Sequence, residues 1–323
     1  MKSVVSVLLL AVSSLLFSPA LFAANTLRVG VLQYGTVNWE IQTIQELKLE
    51  KTYNVSLSVV PLSSPQALLV ALQGNKVDVI LSDWLWVVRQ LEMGRHYRFS
   101  PYSTNAGHLV VNGQANIETL QDLKNKTLGV AGGRENKNWV LFRSYINQTT
   151  GLIANKDFTV KFAAAPMLNA LMQQGELDAV INFWHYAAQL NADGMPTLLT
   201  LQQLLAKQGV SPSVPMLGWV FKDQFARAHP STIAQFLALS QYARQQLLRH
   251  DAIWEKLPAF QRFAAKAHEP LKTIYRQGAI VTPQPDFAAN MDAIYQYLKA
   301  NQGEDNVTGH FEQVPTDILW PYD

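Results

Sequence analysis

The chain has 323 residues, with 26 basic side chains, 24 acidic side chains and no cysteine. This length allows two domains, each with a sizeable core. The balanced charge and the lack of a basic stripe argue against a nucleic-acid partner. Without cysteine the chain forms no disulfide and carries no lipid on a cysteine, so we expect no lipid anchor.

The N-terminus is typical of a secretory signal peptide. Lys2 supplies a positive charge, Val4–Phe17 is apolar, and the segment from Ser18 to Ala24 is rich in small residues. The apolar run of 14 residues is shorter than the roughly 20 that a transmembrane helix needs. We therefore expect a signal peptide at residues 1–23. The mature protein is expected to be a monomer, not membrane-anchored, in the periplasm of a Gram-negative bacterium.

Strands and helices alternate along the first half of the mature chain. Short runs rich in β-branched residues, some of them alternating apolar and polar, predict strands at Leu27–Leu32, Val55–Val60 and Val77–Leu81. Amphipathic stretches predict helices from Trp39 to Leu49 and from Pro65 to Gly74. The second helix follows two serines and starts with proline, which suits a helix N-terminus, and it ends at glycine.

The second half shows the same order of elements. Strands are predicted at Leu128–Ala131, Phe158–Phe162 and Leu177–Ile181, and helices from about Asn138 and over Pro166–Gly175. Strand, helix, strand, helix, strand is typical of a parallel sheet with helices on both faces. Three more helices are predicted near the C-terminus, at Ser231–His250, Ala252–Ala267 and Phe287–Ala300.

The two halves also resemble each other in sequence. Leu68–Trp86 aligns without a gap on Leu168–Tyr186, and the echo begins earlier, where Thr26 corresponds to Thr127. The identical positions include Trp84 and Trp184. A solenoid would need shorter and more numerous repeats. The repeat therefore predicts two similar α/β lobes that face one cleft, which favours ligand binding over a particular reaction.

Candidate ligand-binding residues are those that follow the predicted strands. In an open parallel sheet, ligands bind beyond the carboxyl ends of the strands, where helix N-termini also point. The candidates at these positions are Tyr34, Asn38, Trp39, Ser63, Asp83, Trp84, Arg134, Asn138, Trp139, Asn182, Trp184 and His185.

Each candidate has a structural alternative. The four tryptophans could form an aromatic clamp, with Trp84 facing Trp184, or could close the core of each lobe. Asp83 could accept from a ligand amine or cap a helix. His185 could donate to a ligand oxygen or be a satisfied core residue. Arg134 follows two glycines, in a turn that could approach an anion or leave the side chain solvated.

Catalytic and metal-binding patterns are absent from the sequence. The seven histidines lack the spacing of metal ligands, there is no G-x-S-x-G motif, and no cysteine can act as a nucleophile. We therefore predict no metal, no cofactor and no enzymatic activity. The matched Asp78 and Asp178 fall at the amino ends of their strands and are predicted to be structural.

Several segments together resemble a known family. These are TLRVGVL from Thr26, GNKVDVILSD from Gly74, LQDLKNKTLGVAGG from Leu120 and QQGELDAVINFW from Gln173. They resemble the substrate-binding proteins of ABC importers, in the group that includes nitrate, sulfonate and taurine binders and thiamine-pyrimidine binders. Ser82–Trp86 and Asn182–His185 are more aromatic than we expect for a nitrate or alkylsulfonate pocket.

The resemblance implies a two-lobed periplasmic binding protein of type II. Lobe one would comprise residues 24–107 and 215–323, which include the C-terminal helices, and lobe two residues 108–214. The lobes would close by hinge motion on a small organic ligand with a flat or apolar body and a polar end, such as a zwitterion or an aromatic acid. Permease and ATPase subunits would be the partners. A periplasmic sensor or adaptor, and an enzyme similar to thiamine-pyrimidine synthases, remain as alternatives; those synthases use a cysteine-rich motif that this chain lacks.

Overall fold

The computed structural model describes residues 25–282, 284–301 and 307–321. The predicted signal peptide and its cleavage site lie outside these residues. Of the helices in the described ranges, none combines the length and apolar character needed to cross a bilayer.

Ten strands and fourteen α-helices make up the described part of the chain. The strands are β1 (Asn25–Leu32), β2 (Val55–Leu62), β3 (Val79–Ser82), β4 (Tyr97–Ser103), β5 (Gly107–Val111), β6 (Thr127–Ala131), β7 (Thr159–Ala163), β8 (Ala179–Phe183), β9 (Thr197–Thr200) and β10 (Leu217–Lys222). The helices are α1 (Val37–Glu46), α2 (Leu49–Thr52), α3 (Pro65–Gln73), α4 (Trp84–Glu92), α5 (Lys137–Thr150), α6 (Ala165–Gln173), α7 (Trp184–Ala192), α8 (Leu201–Lys207), α9 (Asp223–Ala228), α10 (Pro230–Arg249), α11 (Asp251–Trp254), α12 (Pro258–Gln261), α13 (Ala265–Gly278) and α14 (Phe287–Asn301).

The strands form two sheets with the same plan. The first has the order β2-β1-β3-β10-β4 and the second β7-β6-β8-β5-β9. The first three strands of each sheet run parallel, and the fourth is antiparallel to both of its neighbours. The antiparallel strand lies next to a crossing between the sheets: β5 begins just after one crossing, and β10 just after the return. The prediction of two lobes, each a mostly parallel sheet flanked by helices, is confirmed.

The first strands of the two lobes, β1 and β6, are equivalent in the structure, but their residues align differently from the repeat in the sequence. The sequence pairs Thr26 with Thr127. In the structure, Asp78 accepts a hydrogen bond from the backbone N–H of Arg28 at 2.9 Å, and its counterpart Asp178 accepts one from the N–H of Thr127 at 2.7 Å. Arg28 is therefore the structural equivalent of Thr127. The two aspartates hold the first strand of each lobe, as expected of structural residues.

The predicted helix at Ala252–Ala267 is wrong. The structure has the short helices α11 and α12 there, and α13 begins only at Ala265. Pro258 explains the break, because a residue before proline is driven out of the helical region. Leu257 accordingly adopts an extended conformation with φ −96° and ψ 105°. Pro258 then becomes the first residue of the next helix, a position that tolerates proline.

The C-terminal helices contact both lobes. Helix α10 packs on α1 in lobe one, whereas α13 packs on α7 in lobe two. Helix α14 lies against α5 of lobe two, where Ser144 Oγ donates to the carbonyl oxygen of Asn301 at 3.0 Å. One continuous apolar cluster contains residues from both lobes and from α14, for example Leu68, Leu128 and Leu298. Helices α10 to α14, called the C-terminal segment below, thus pack against both lobes and join them.

Candidate ligand-binding site between the lobes

The carboxyl edges of the two sheets face each other. Trp39 on α1 of lobe one meets Trp184 on α7 of lobe two, with ring centres 5.9 Å apart and planes at 79°. Lys137 at the start of α5 reaches across to Asp83, with Nζ 3.4 Å from Oδ2. All four residues directly follow parallel strands or start the next helix. The structure thus brings together three of the candidate residues, Trp39, Asp83 and Trp184, and adds Lys137, which was not among the candidates.

Trp39 sits in an aromatic cluster rather than on an open wall. Its ring is fully buried and contacts five other rings, and its Nε1 donates to the carbonyl oxygen of Ala259 at 3.3 Å. The rings around it belong to Trp184, Trp254, Phe260, Phe263 and Tyr275. Most of them come from the C-terminal segment. The surroundings of Trp39 are those of a core side chain with its polar atom satisfied.

The ring that meets Trp184 from lobe one is Trp39, not Trp84 as the clamp hypothesis expected. Trp84 and Trp139 are both buried in the large apolar cluster, and Trp139 packs edge-on against Phe162 at 5.9 Å. Trp84 has no ring partner within the described ranges. All four tryptophans are at most 5% exposed. A ligand would therefore contact them only if the lobes separate.

Asp83 serves both as a helix cap and as one half of an ion pair between the lobes. Its carboxylate accepts from the Trp86 N–H at 3.0 Å, which satisfies a free donor at the start of α4. Burial alone would raise the pKa of Asp83, but Lys137, the Trp86 N–H and Arg89 together lower it. The carboxylate is thus held ionised against Lys137. Capping, one of the two alternatives for Asp83, is what the structure displays.

Three further candidates have local partners or face solvent. The side-chain amide of Asn38 donates to the carbonyl oxygens of Leu32 and Gly35 at 2.9 and 2.8 Å. Asn182 is fully satisfied, because its Nδ2 donates to Ala165 O and Asn169 Oδ1 and its Oδ1 accepts from the Phe183 N–H. Ser63 is exposed, and its neighbour Ser64 caps α3 by accepting from the Ala67 N–H at 3.1 Å.

The two glycines before α5 form a tight turn. Gly132 has φ +86°, a left-handed conformation that favours glycine. Asn136 then caps α5 by accepting from the Asn138 N–H at 2.9 Å. Arg134 is exposed at this turn and has no ion pair within the described residues. The structure therefore shows a solvated arginine at the edge of the second sheet.

Within the described part of the chain, three buried polar atoms on facing elements have no hydrogen-bond partner. They are Trp84 Nε1 on lobe one, and Asn138 Oδ1 and His185 Nδ1 on lobe two. Each belongs to a residue at the carboxyl edge of its sheet. Burial, aided by the positive charge of Arg262, lowers the pKa of His185 to about 3, so this imidazole is neutral at pH 7. The three atoms offer one fixed donor, one fixed acceptor and one group that can do either.

Tyr34 and Arg262 stand at the rim of the same edge. Tyr34, directly after β1, is 56% exposed. Arg262, between α12 and α13, has its guanidinium carbon 5.2 Å from the centre of the Tyr34 ring. Sequence reasoning missed Arg262. It lies in a stretch predicted to be one helix, and only the docking of α13 on α7 brings it to the cleft.

The Glu40 carboxylate is engaged inside lobe one and does not face the cleft as a free group. It is fully buried, and its Oε2 lies 3.0 Å from Arg244 Nη1. The hydroxyl of Ser240 donates to Oε1 at 2.5 Å and accepts from Trp219 Nε1 at 2.7 Å. This network joins α1 to α10. Its carboxylate oxygens are therefore occupied by protein donors.

A separate open cavity of about 620 Å³ lies at the opposite edge of the first sheet. Its lining includes Gln73 at the end of α3, Tyr97 at the start of β4 and Lys222 at the end of β10. None of the sequence-predicted site residues lines it. In the part of the chain that the structure describes, no three histidine or acidic side chains come close enough to hold a metal ion.

Comparison with known proteins identifies relatives in sequence and in structure. The sequence profile of the NMT1/THI5-like family matches residues 55–252, more than half of the chain. No curated protein sequence gives a match.

Three solved structures are similar in fold. The alkanesulfonate-binding protein SsuA from Xanthomonas axonopodis pv. citri, bound to MOPS, is 16% identical with a TM-score of 0.70 over 91% of this chain and 98% of that one. The periplasmic aliphatic sulphonate binding protein SsuA from Escherichia coli is 16% identical with a TM-score of 0.70 over 92% of each chain. The ligand-binding component of an ABC-type import system from Staphylococcus aureus is 13% identical with a TM-score of 0.65 over 91% and 96%.

These similarities agree with the architecture described above. At such low identities the structural likeness establishes the fold, that of the two-lobed binding proteins, and it covers both sheets and the C-terminal helices. The sequence match is independent of the coordinates and reaches from β2 to α11. The chain therefore belongs to the NMT1/THI5-like family.

Proposed function

We propose that this protein is the periplasmic solute-binding component of an ABC-type importer. It binds a small organic molecule between its lobes and hands it to membrane-bound permease and ATPase subunits. Lobe one comprises residues 24–107 and 215–323, lobe two residues 108–214, and the mature protein acts as a monomer. The fold shared with import-system binding proteins supports this assignment.

The observation that carries the proposal is the set of unpartnered atoms at the facing edges. A buried donor or acceptor without a partner costs about 1–3 kcal/mol, so proteins rarely leave one unpaired. Trp84 Nε1, Asn138 Oδ1 and His185 Nδ1 are three such atoms on the two sides of one cleft. A ligand bound there would pair with them and recover this free energy. It would need both an acceptor and a donor, with an apolar or flat body between the tryptophans.

Binding would require the lobes to open and close again. The candidate atoms are inaccessible to solvent, so they describe a closed form. In an open form, the Trp39–Trp184 contact and the Lys137–Asp83 pair would separate. A ligand that contacts both lobes stabilises the closed form over the open one by its extra contacts there. The transporter would then recognise the closed form.

Two experiments test this proposal. The first is mass spectrometry of small molecules released from protein purified without refolding, for which we expect a small organic compound. A bare inorganic ion or a metal would contradict the proposal. The second uses Trp84→Phe, which keeps a buried ring but removes Nε1. We expect affinity for that compound to fall roughly tenfold, the scale of one lost hydrogen bond of about 1.4 kcal/mol.

Trp86→Phe is the matched control for the second experiment. Trp86 lies on the same helix, and its substitution by phenylalanine changes the ring size by the same amount. Its ring packs on Tyr97, with ring centres 4.8 Å apart. Tyr97 starts β4 and lies at the edge of the sheet away from the cleft. Both variants should lose some packing, and only Trp84→Phe should lose affinity in calorimetry. If the two variants bound the ligand with equal affinity, Trp84 would have only a packing role in the core and would not contact the ligand.

A further inference from the structure

Arg262 lies where the two lobes and the C-terminal segment meet. Its guanidinium carbon is 5.2 Å from the ring centre of Tyr34, which follows β1 of lobe one. On lobe two, its positive charge adds to burial in lowering the pKa of His185, and it also acts on the neighbouring Tyr186. Both residues belong to the first turn of α7. The guanidinium thus contacts lobe one at Tyr34, and it lies just before α13, the helix that packs on α7 of lobe two.

No carboxylate neutralises this arginine. Across residues 25–282, 284–301 and 307–321, Arg262 has neither an ion pair nor a hydrogen bond. Two lysines on the neighbouring elements are paired, by contrast: Lys137 at the start of α5 with Asp83 at 3.4 Å, and Lys266 on α13 with Asp193 at 2.7 Å. Partial burial lowers the pKa of Arg262, which shows that its charge lacks full compensation from protein or solvent.

The contacts of Arg262 leave its hydrogen-bonding capacity unused. Its two ring neighbours, Tyr34 and Phe263, lie 5.2 and 5.3 Å away and interact with the guanidinium through their faces. Such contacts accept none of the five N–H donors, which form a planar fork suited to the two oxygens of an acidic group. Within the described residues, His185 Nδ1 on α7 is also buried and unpartnered, and the charge of Arg262 acts on this imidazole.

We propose that Arg262 is the anion anchor of the site between the lobes, and that the ligand is an organic acid. This inference rests on the proposed function. A carboxylate or sulfonate of the ligand pairs with the Arg262 guanidinium beside Tyr34. Its remaining polar atoms meet Trp84 Nε1 and Asn138 Oδ1 deeper in the cleft. The anchor comes from the C-terminal segment, so it does not belong to either set of strand-following residues.

Arg134 is a second unpaired cation near this edge, and it differs from Arg262 in its setting. It stands exposed on the turn after β6, with the acidic Glu135 next to it in sequence. Among the residues that the structure describes, Arg134 has no aromatic contact, and it lies on lobe two alone. Arg262 contacts the Tyr34 ring of lobe one and precedes α13, which packs on α7 of lobe two, so its position depends on how the lobes close. The larger effect on affinity is therefore assigned to Arg262.

The test measures binding of matched probes by calorimetry and by thermal shift. The probes are benzenesulfonate, benzoate and hexanoate, with benzenesulfonamide, benzamide and benzylamine as neutral and cationic counterparts. They are applied to the full mature protein and to the variants Arg262→Gln, Arg262→Lys and Arg134→Gln. The control is Arg227→Gln, which also removes one positive charge. Arg227 is exposed on α9, which follows β10 at the edge opposite the cleft.

The expected result is that wild-type protein binds at least one of the acids more tightly than its counterparts. Arg262→Gln should weaken that binding at least tenfold, Arg262→Lys less, and Arg227→Gln by less than twofold. Unchanged acid binding in Arg262→Gln, or a larger loss in Arg134→Gln, would overturn the anchor while leaving the binding function intact. Preference for an amide or the amine would overturn the acid class. Binding of no probe by wild-type protein would count against the proposed function as well.

Discussion

Burial sets the protonation state of two histidines. The pKa of His108, on β5, is lowered to about 4 by desolvation, and that of His185 to about 3 by desolvation and Arg262. An unfolded histidine has a pKa near about 6.5. Between these values the unfolded chain binds protons that the native protein does not. Stability therefore depends on pH in a window set by these two side chains.

The free energy of unfolding should fall as the pH is lowered from about 6.5 to about 4. In this window the unfolded state holds more bound protons, so stability rises with pH by up to about 1.4 kcal/mol per pH unit for each histidine. His185→Phe removes one of the two titrating groups and keeps a ring of similar shape. Its stability should depend on pH with a slope smaller by about one proton. Urea unfolding at several pH values measures this slope.

Stability at pH 7 gives a second readout of the same variant. His185→Phe removes a buried atom without a partner, so ligand-free stability should stay the same or increase. His268→Phe is a suitable control, because His268 ring Nε2 lies 2.9 Å from the Phe263 carbonyl oxygen and is satisfied. An unchanged pH slope in His185→Phe would mean that the native imidazole is already protonated.

Local sequence decided which single residues could be predicted. The caps by Ser64 and Asp83 involve N–H groups three residues later, so the residue type and the following helix are enough. The satisfied state of Asn182 could not be predicted, because its partners come from α6. For the same reason the sequence could not separate Trp84, with a free Nε1, from Trp39, whose Nε1 reaches Ala259 more than 200 residues away.

At the level of strands, periodicity explains both the success and the error in matching the lobes. The segments that contain Asp78 and Asp178, directly before β3 and β8, align without a gap, and the structure gives the two aspartates the same role. The first strands align two residues out of register, since Arg28 rather than Thr26 corresponds to Thr127. A shift of two residues leaves every side chain on the same face of a strand. An apolar pattern therefore cannot detect it.

The antiparallel strands were missed because their pairing is distant in sequence. Strand β10 pairs with β3 and β4, more than 100 residues earlier in the chain. Pro101 within β4 also argues against a strand in the sequence. Its place next to the β10 bulge, where the register shifts at Leu217/Gly218, accommodates the missing N–H.

Gly218→Ala should destabilise the protein by about 1–3 kcal/mol. A Cβ at Gly218 would lie 2.5 Å from both Phe99 Cζ and the backbone oxygen of Ser100. A side chain can turn away, but the backbone oxygen belongs to β4 and cannot move without distorting the pairing, which is the usual cost of overpacking. Gly113→Ala is the control, because a Cβ there meets nothing within 4 Å. Urea unfolding that ranks the two variants equally would contradict this account of the bulge.

The relation between the lobes depends on contacts of unequal strength. The apolar cluster that includes α14 joins the lobes at one side, and the rings around Trp39 and Trp184 join α1, α7 and the C-terminal segment. Across the candidate site, Lys137 and Asp83 form an ion pair, with side chains 11% and 29% exposed. A partly exposed pair contributes on the order of 1 kcal/mol and weakens with salt. The Lys137–Asp83 pair can therefore shift the equilibrium towards the closed form without preventing the lobes from opening.

Asp83→Asn should shift the ligand-free protein towards the open form. Asparagine keeps the cap on α4, because it can still accept from the Trp86 N–H, but it removes the charge that attracts Lys137. A loss of about 1 kcal/mol from the closed form lowers ligand affinity by up to about fivefold. Small-angle scattering should show a larger radius of gyration without ligand and the wild-type value at saturation.

Lys137→Met and the double variant separate this effect from direct ligand contact. If the two side chains act through their ion pair, the second substitution adds little to the first, as in a double-mutant cycle of interacting residues. If Lys137 instead contacts an acidic ligand, Lys137→Met weakens binding further in the Asp83→Asn background while the scattering curve stays the same. Raised salt should reduce wild-type affinity more than that of Asp83→Asn. Equal compactness of wild type and Asp83→Asn without ligand would show that aromatic and apolar packing alone sets closure.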